Sequence, residues 1–140
     1  MALPHFGILI RSILAVFAGI VTVFVLSLGV DQTLHLMDVY PPWGQPMYSI
    51  GLNLLALAYR IPFNIAGGWV TAKLAPHSPQ RHAMTYGWIG VGFSVAGTAS
   101  AISMGGLGPL WYPILLTLSA LPCAWAGGKL ATRGHAAHRE

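Results

Sequence analysis

Asn53, Arg60, Asn64, Gly67 and Thr71 follow one another at spacings of 7, 4, 3 and 4 residues. At 100° per residue they fall within about 60° of each other, on one face of a helix. All but Gly67 carry hydrogen-bonding side chains, and the stretch around them is otherwise apolar. In hydrocarbon such a face must turn toward other helices or toward water. Arg60 is the sharpest case. It lies about midway between Met47 and Lys73, which places it near the centre of a bilayer. A guanidinium there costs at least a few kcal/mol, and losing its proton brings no relief because its pKa exceeds about 12. Two chemistries follow. Arg60 serves a substrate, ion or proton as an anion-binding or coupling residue. Alternatively it ties helices together by donating to carbonyls freed upstream of Pro62, which has no N–H to offer the helix ladder.

A second constellation lies earlier in the chain. Asp31, His35 and Asp38 stand at i, i+4 and i+7, one face if the helix before them continues. Two carboxylates and an imidazole suit a divalent metal, and the imidazole titrates near neutral pH. Two further readings compete. Asp31 is the N-cap of a short interfacial helix before Pro41-Pro42; or Asp31 or Asp38 pairs with Arg60, which requires Arg60 to lie nearer the outer face than its midpoint position indicates. No fourth metal ligand stands nearby in sequence. No G-x-S-x-G, H-E-x-x-H, phosphate-binding loop or dinucleotide fingerprint is present, which weighs against an enzyme. The sequence leaves any cofactor unknown.

The elements that position these residues come from the charges. The chain has 140 residues, of which 55% are hydrophobic and 7% charged, against about 25% charged in soluble domains. Ser12–Val30 carries no charge and has the length of a helical crossing, about 20 residues. Met47–Ala75 would be about 43 Å long as a helix, too long for one straight crossing, so it has to tilt, extend or break near Pro62. His82–Gly128 carries no formal charge and is divided by Gly105-Gly106-Leu107-Gly108-Pro109. The expected fold is an all-α membrane protein, a single domain over residues 1–140. It has four transmembrane helices in a bundle, at about 10–30, 47–75, 83–104 and 110–131. A strand barrel would need alternating segments of about ten residues, which are missing. The lone Cys123 reads as a small buried side chain.

Arg11, Lys73, Arg81, Lys129, Arg133 and Arg139 flank one set of ends, while the loops at 31–46 and 105–109 hold Asp31 and Asp38 and no Lys or Arg. By the positive-inside rule both termini are cytoplasmic. Tyr40, Trp43, Tyr48, Trp111 and Tyr112 then form an outer aromatic belt, and Trp69, Tyr86 and Trp88 an inner one. His77, His82, His135 and His138 join the basic inner side, which favours anionic lipid. The net charge of +4 is scattered, so nucleic acid is not an expected partner.

Pro62-Phe-Asn-Ile-Ala-Gly-Gly68 matches Pro122-Cys-Ala-Trp-Ala-Gly-Gly128 at an offset of 60, and Lys73 then matches Arg133. Two tandem parallel helical hairpins are one source of this match, as in some transporters; chance recurrence of Gly and Ala is the other. In either case Gly67, Gly68, Gly127 and Gly128 let backbones approach closely. The counterpart of Arg60 is Ala120, so a site at Arg60 is asymmetric within one chain or completed across a dimer. On the third helix Gly92, Ala96 and Ser100 recur every fourth residue, as do Gly90, Ser94 and Thr98, for internal packing or a homo-oligomer contact.

Asp31-x-x-x-His35, Tyr40-Pro-Pro-Trp-Gly44, Ala58-Tyr-Arg60, Gly67-Gly68, Trp111-Tyr-Pro113 and Ala120-Leu-Pro-Cys-Ala-Trp125 together resemble a group of small bacterial four-helix membrane proteins. The resemblance covers most of the chain. It implies a bacterial inner membrane and the four-helix layout, and it implies no activity. Three functions remain: a small transporter or channel subunit with its polar site on the second helix, an accessory protein packing on a partner through the third, and a membrane metal protein using the Asp31 constellation.

Overall fold

The computed structural model describes residues 3–136, with side chains from 5 to 133. His138 and Arg139 therefore lie outside the described residues, and His135 is described in backbone only. Four helices follow in order: α1 (Leu3–Leu36), α2 (Ile50–Leu74), α3 (Pro79–Ser103) and α4 (Trp111–Ala136). No strand occurs among the described residues.

Three of these helices, α1, α2 and α4, are long and apolar enough to cross a membrane. That is one fewer than expected. Helix α3 has 25 residues, as many as α2, but Gly, Ser and Thr replace large apolar side chains along it and Gln80, Arg81 and His82 open it. Helix α1 runs 34 residues, beyond both ends of its uncharged stretch. A charge marks where an apolar run stops, not where hydrogen-bonded backbone stops. Asp31 is consequently inside a helix and caps nothing. Helix α2 is also unbroken: Pro62 sits within it, its ring on the exposed side. One missing N–H and a local clash leave the rest of the ladder intact.

The turn between α3 and α4 falls where the glycines put it. Gly105 and Gly106 have φ of 93° and 83°, the left-handed region that glycine enters without strain. Their N–H groups donate to Ile102 and Ala101 carbonyls at 3.1 and 2.9 Å, closing α3. Residues 37–49 form the other loop at this end, and the two loops meet where the Met47 N–H donates to the Leu107 carbonyl at 2.8 Å. Ser49 caps α2 by accepting from the Leu52 N–H at 3.4 Å.

The bundle closes in the order α1, α2, α4, α3, with α2 also touching α3 and α1 having no contact with α4. Its interior is made of small residues: Ala15, Ala56, Ala83, Ala124 and Ala131 are all at most 2% exposed. Large apolar side chains face out, among them Phe17, Phe93, Ile114 and Leu118, each more than half exposed. This inverts the arrangement of a water-soluble bundle. Where the surroundings are as apolar as leucine, helices are held by close van der Waals contact rather than by burying bulk.

The two Gly-Gly pairs make that contact. A Cβ on Gly127 would meet the Ile65 carbonyl oxygen, the Trp69 nitrogen at 2.6 Å and the Gly68 carbonyl carbon at 2.9 Å. One on Gly68 would lie 3.0 Å from the Ala124 backbone. The matched motifs of α2 and α4 are thus packed backbone to backbone against each other. A Cβ on Gly67 would lie 2.9 Å from the Gly19 carbonyl oxygen of α1, and one on Gly128 would lie 2.9 Å from the Ala83 side chain of α3. Helix α3 differs. Gly92, Ala96 and Ser100 are exposed, and a Cβ on Gly92 would meet nothing within 4 Å. Within one chain that row packs on no helix.

Gly127→Ala is expected to destabilise the bundle by about 1–3 kcal/mol, because backbone rather than a flexible side chain must give way. Gly92→Ala is expected to be neutral or slightly stabilising. Unfolding of the purified protein in mixed micelles, followed by circular dichroism, measures both; equal stability of the two variants would contradict the packing described.

Candidate functional site

Asp31 is on the second-last turn of α1 and Arg60 is eleven residues into α2. The α1–α2 packing brings them together: Arg60 Nη2 donates to Asp31 Oδ2 at 2.5 Å. The Tyr59 hydroxyl donates to Asp31 Oδ1. Both carboxylate oxygens are therefore engaged, and the Asp31 side chain is 8% exposed. Of the two acids that could offset Arg60, Asp31 does so and Asp38 does not. Arg60 stands two residues before the midpoint of α2, as its place in the sequence indicates, and its long side chain meets Asp31 one and a half turns before the end of α1.

Aromatic rings complete the surroundings. Arg60 Cζ lies 6.0 Å from the Tyr59 ring centroid and 5.9 Å from that of Tyr112, within cation–π range. Tyr40, 6% exposed, approaches from the 37–49 loop: its hydroxyl lies 3.1 Å from that of Tyr59 and donates to the Leu52 carbonyl at 3.5 Å. Burial pushes the Tyr40 phenol up from its ordinary range, so it remains a neutral hydrogen-bonding group at physiological pH.

Arg60 borders two cavities. The central one, about 240 Å³, lies among all four helices, with Asp31, Asn64, Tyr86, Ser94 and Ala120 on its walls. The outer one, about 450 Å³, extends from Arg60 to the Gly106–Pro109 turn, with Asn53, Gly97, Thr98 and Tyr112 on its walls. Phe24, Phe93 and Leu116 border both. Phe24 and Phe93 meet edge to face, centroids 6.1 Å apart. The guanidinium has five N–H donors; one of its nitrogens holds Asp31, and Nε is buried with no acceptor. A single contact replaces the bidentate fork that Arg and carboxylate can form. The donor supply exceeds the acceptors present.

The expected polar face of α2 does point inward, but its residues serve separate contacts. Asn53 Nδ2 donates to the Met47 and Ser49 carbonyls at 2.9 and 2.8 Å, fastening the start of α2. Asn64 accepts from the Tyr86 hydroxyl at 3.1 Å. Thr71 is fully buried and packs against Gly19. Arg60 bonds to a carboxylate, not to carbonyls freed by Pro62.

Asp31, His35 and Asp38 are not brought to one point. The His35 ring stacks on Trp43, centroids 4.0 Å apart, and its Nδ1 lies 2.7 Å from the Asp31 carbonyl oxygen. Asp38 is exposed, with φ of 56°, a turn residue that closes α1; its backbone N–H donates to the His35 carbonyl at 3.2 Å. Among the described residues no three His, Cys, Asp or Glu side chains converge as metal ligands. Helical register put these residues on one face; the helix ended before that face was complete.

Sequence reasoning missed the tyrosines. Tyr40 and Tyr112 were expected in an outer belt and Tyr86 in an inner one, yet Tyr40 and Tyr112 border the ion pair and Tyr86 holds Asn64. Trp43, Tyr48, Trp69 and Trp88 are exposed, as belt residues would be. The available signal was the adjacency of Tyr59 and Arg60, which puts a phenol beside any buried guanidinium. Comparison with protein-family models, curated proteins and solved structures finds no match to this chain.

Removing Asp31 leaves a part-buried cation, its side chain 29% exposed, without its counter-charge. Asp31→Ala is expected to destabilise the fold by about 1–3 kcal/mol, less than the loss of a partner in a fully buried pair. Arg60→Met in the same chain is expected to restore much of that loss. A double-mutant cycle on unfolding measures the coupling, and additive losses would show that the pair contributes no mutual stabilisation.

Proposed function

We propose that this chain is a small transporter or channel subunit of a bacterial inner membrane, with its solute site at Arg60. In this reading α3 crosses with the other three helices. Four crossings put the 37–49 and 104–110 loops outside and both termini in the cytoplasm. The distribution of Lys and Arg supports that orientation, and the resemblance noted above supports the compartment. The single observation that carries the reading is a guanidinium with spare donors, bordering two cavities inside a bundle of apolar exterior. An intramembrane ionisable residue is by default a candidate for a pathway, and the space beside the guanidinium admits a solute.

An accessory role remains as a second reading because Gly92, Ala96 and Ser100 form an exposed small-residue row with nothing packed on it. A second copy or a larger membrane partner would fit closely there.

Flux separates the two. In proteoliposomes, anion flux is expected to fall at least tenfold for Arg60→Gln, with the helical circular dichroism retained. Flux that is absent from the unaltered protein, or unchanged in the variant, would overturn the transport reading. For orientation, a phosphatase reporter fused after Glu140 is expected to be inactive, since that enzyme matures only outside the cytoplasm. An active fusion would reverse the topology.

A further inference from the structure

We infer that the outer cavity binds a small amphiphilic anion, a carboxylate or like acidic head on an apolar chain, with its head on Arg60. The inference rests on reading the bundle as a solute pathway and names what that pathway takes.

The head follows from the count of donors and acceptors. Asp31 has given one oxygen to Tyr59 and the other to Arg60, so it has no oxygen uncommitted. Arg60 is joined to it through one nitrogen, and its buried Nε lacks an acceptor. An unmet donor in an apolar interior is costly, and the deficit here is of acceptors. A ligand that supplies acceptor oxygens corrects it, and a carboxylate does so most strongly, because a hydrogen bond between two charged groups is about twice as strong as a neutral one. A cationic or purely apolar guest does not. The Tyr59 hydroxyl continues to hold Asp31 if Arg60 turns toward a guest, so the carboxylate does not lose both partners together. Thr98 offers little donor competition, because its hydroxyl donates to the Ser94 carbonyl at 2.7 Å.

The chain follows from the walls. Beyond Arg60 the cavity is bordered by Phe24, Phe93, Leu107, Leu110 and Leu116, and Gly97 leaves its side open. At about 450 Å³ it falls within the range of small-molecule sites, roughly 300–1,000 Å³. One charged end and one apolar end in such a space suit an amphiphile lying along it.

Radiolabelled octanoate, with octanol and octylammonium as competitors, tests this on the intact protein in phosphatidylcholine nanodiscs. Octanoate is expected to bind above the empty-nanodisc level, and each competitor to displace it at least tenfold less effectively than unlabelled octanoate. Arg60→Gln is expected to lower octanoate binding at least tenfold. Gly97→Leu is expected to lower it as much without touching the ion pair, since a Cβ there meets nothing within 4 Å; it carries the test if Arg60→Gln does not fold. Competition by octanol equal to that of octanoate, no binding at all, or full binding by Gly97→Leu would overturn the inference. Repeating the measurement with phosphatidylglycerol in the nanodisc separates two sources of the same chemistry. Binding lost there assigns the site to an anionic lipid, binding kept assigns it to a free acid, and both support an amphiphilic anion. Octanoate binding without flux would defeat the pathway reading alone. Anion flux without octanoate binding would defeat the ligand class alone.

Discussion

A cation that cannot give up its proton, placed inside an apolar bundle, dictates the arrangement around it. Arg60 needs a counter-charge within reach, and Asp31 supplies it. For Asp31 to be there, α1 has to extend past the end of its uncharged stretch. For Asp31 to be buried, its second oxygen needs a donor, which Tyr59 provides. Tyr40 then seats on Tyr59 and brings the 37–49 loop over the end of the bundle, where His35 and Trp43 stack to hold it. A buried ion pair gains little net stability over an apolar replacement, but breaking one is costly. The pair therefore constrains the fold more than it strengthens it.

Cohesion comes from elsewhere. The half away from the 37–49 loop is joined by backbone contacts at Gly19, Gly67, Gly68, Gly127 and Gly128. The half beneath that loop is joined by polar contacts and borders two half-open cavities. Glycine and alanine allow helices to meet closely, and the cavities open where Arg60 and Tyr112 stand instead.

The features legible in sequence were those set by local rules. The inward polar face of α2 follows from helical period, the α3–α4 turn from glycine and proline, and close packing at the Gly-Gly pairs from their lack of side chains. The Asp31–Arg60 pairing was one of several readings, and charge balance was the argument for it. What could not be read was tertiary. The ends of α1 are hidden because a charged residue continues a helix as readily as it ends an apolar run. The contacts of the tyrosines were hidden because an amphipathic ring suits a bilayer interface and a buried hydroxyl contact equally well. The exposed row on α3 shows the same ambiguity: small-residue spacing states that close approach is allowed without naming the surface that approaches.

The position of the ion pair along the chain has a consequence for biogenesis. Asp31 and Arg60 belong to the first two helices, 29 residues apart. Synthesis proceeds from the N-terminus, so α1 is complete before Arg60 is made. The residue least suited to the membrane thus arrives with its counter-charge already in place, and the first hairpin can be neutralised before α3 and α4 exist. Reversing the order of the two hairpins would leave the packed helix faces unchanged and still change how that charge enters the bilayer.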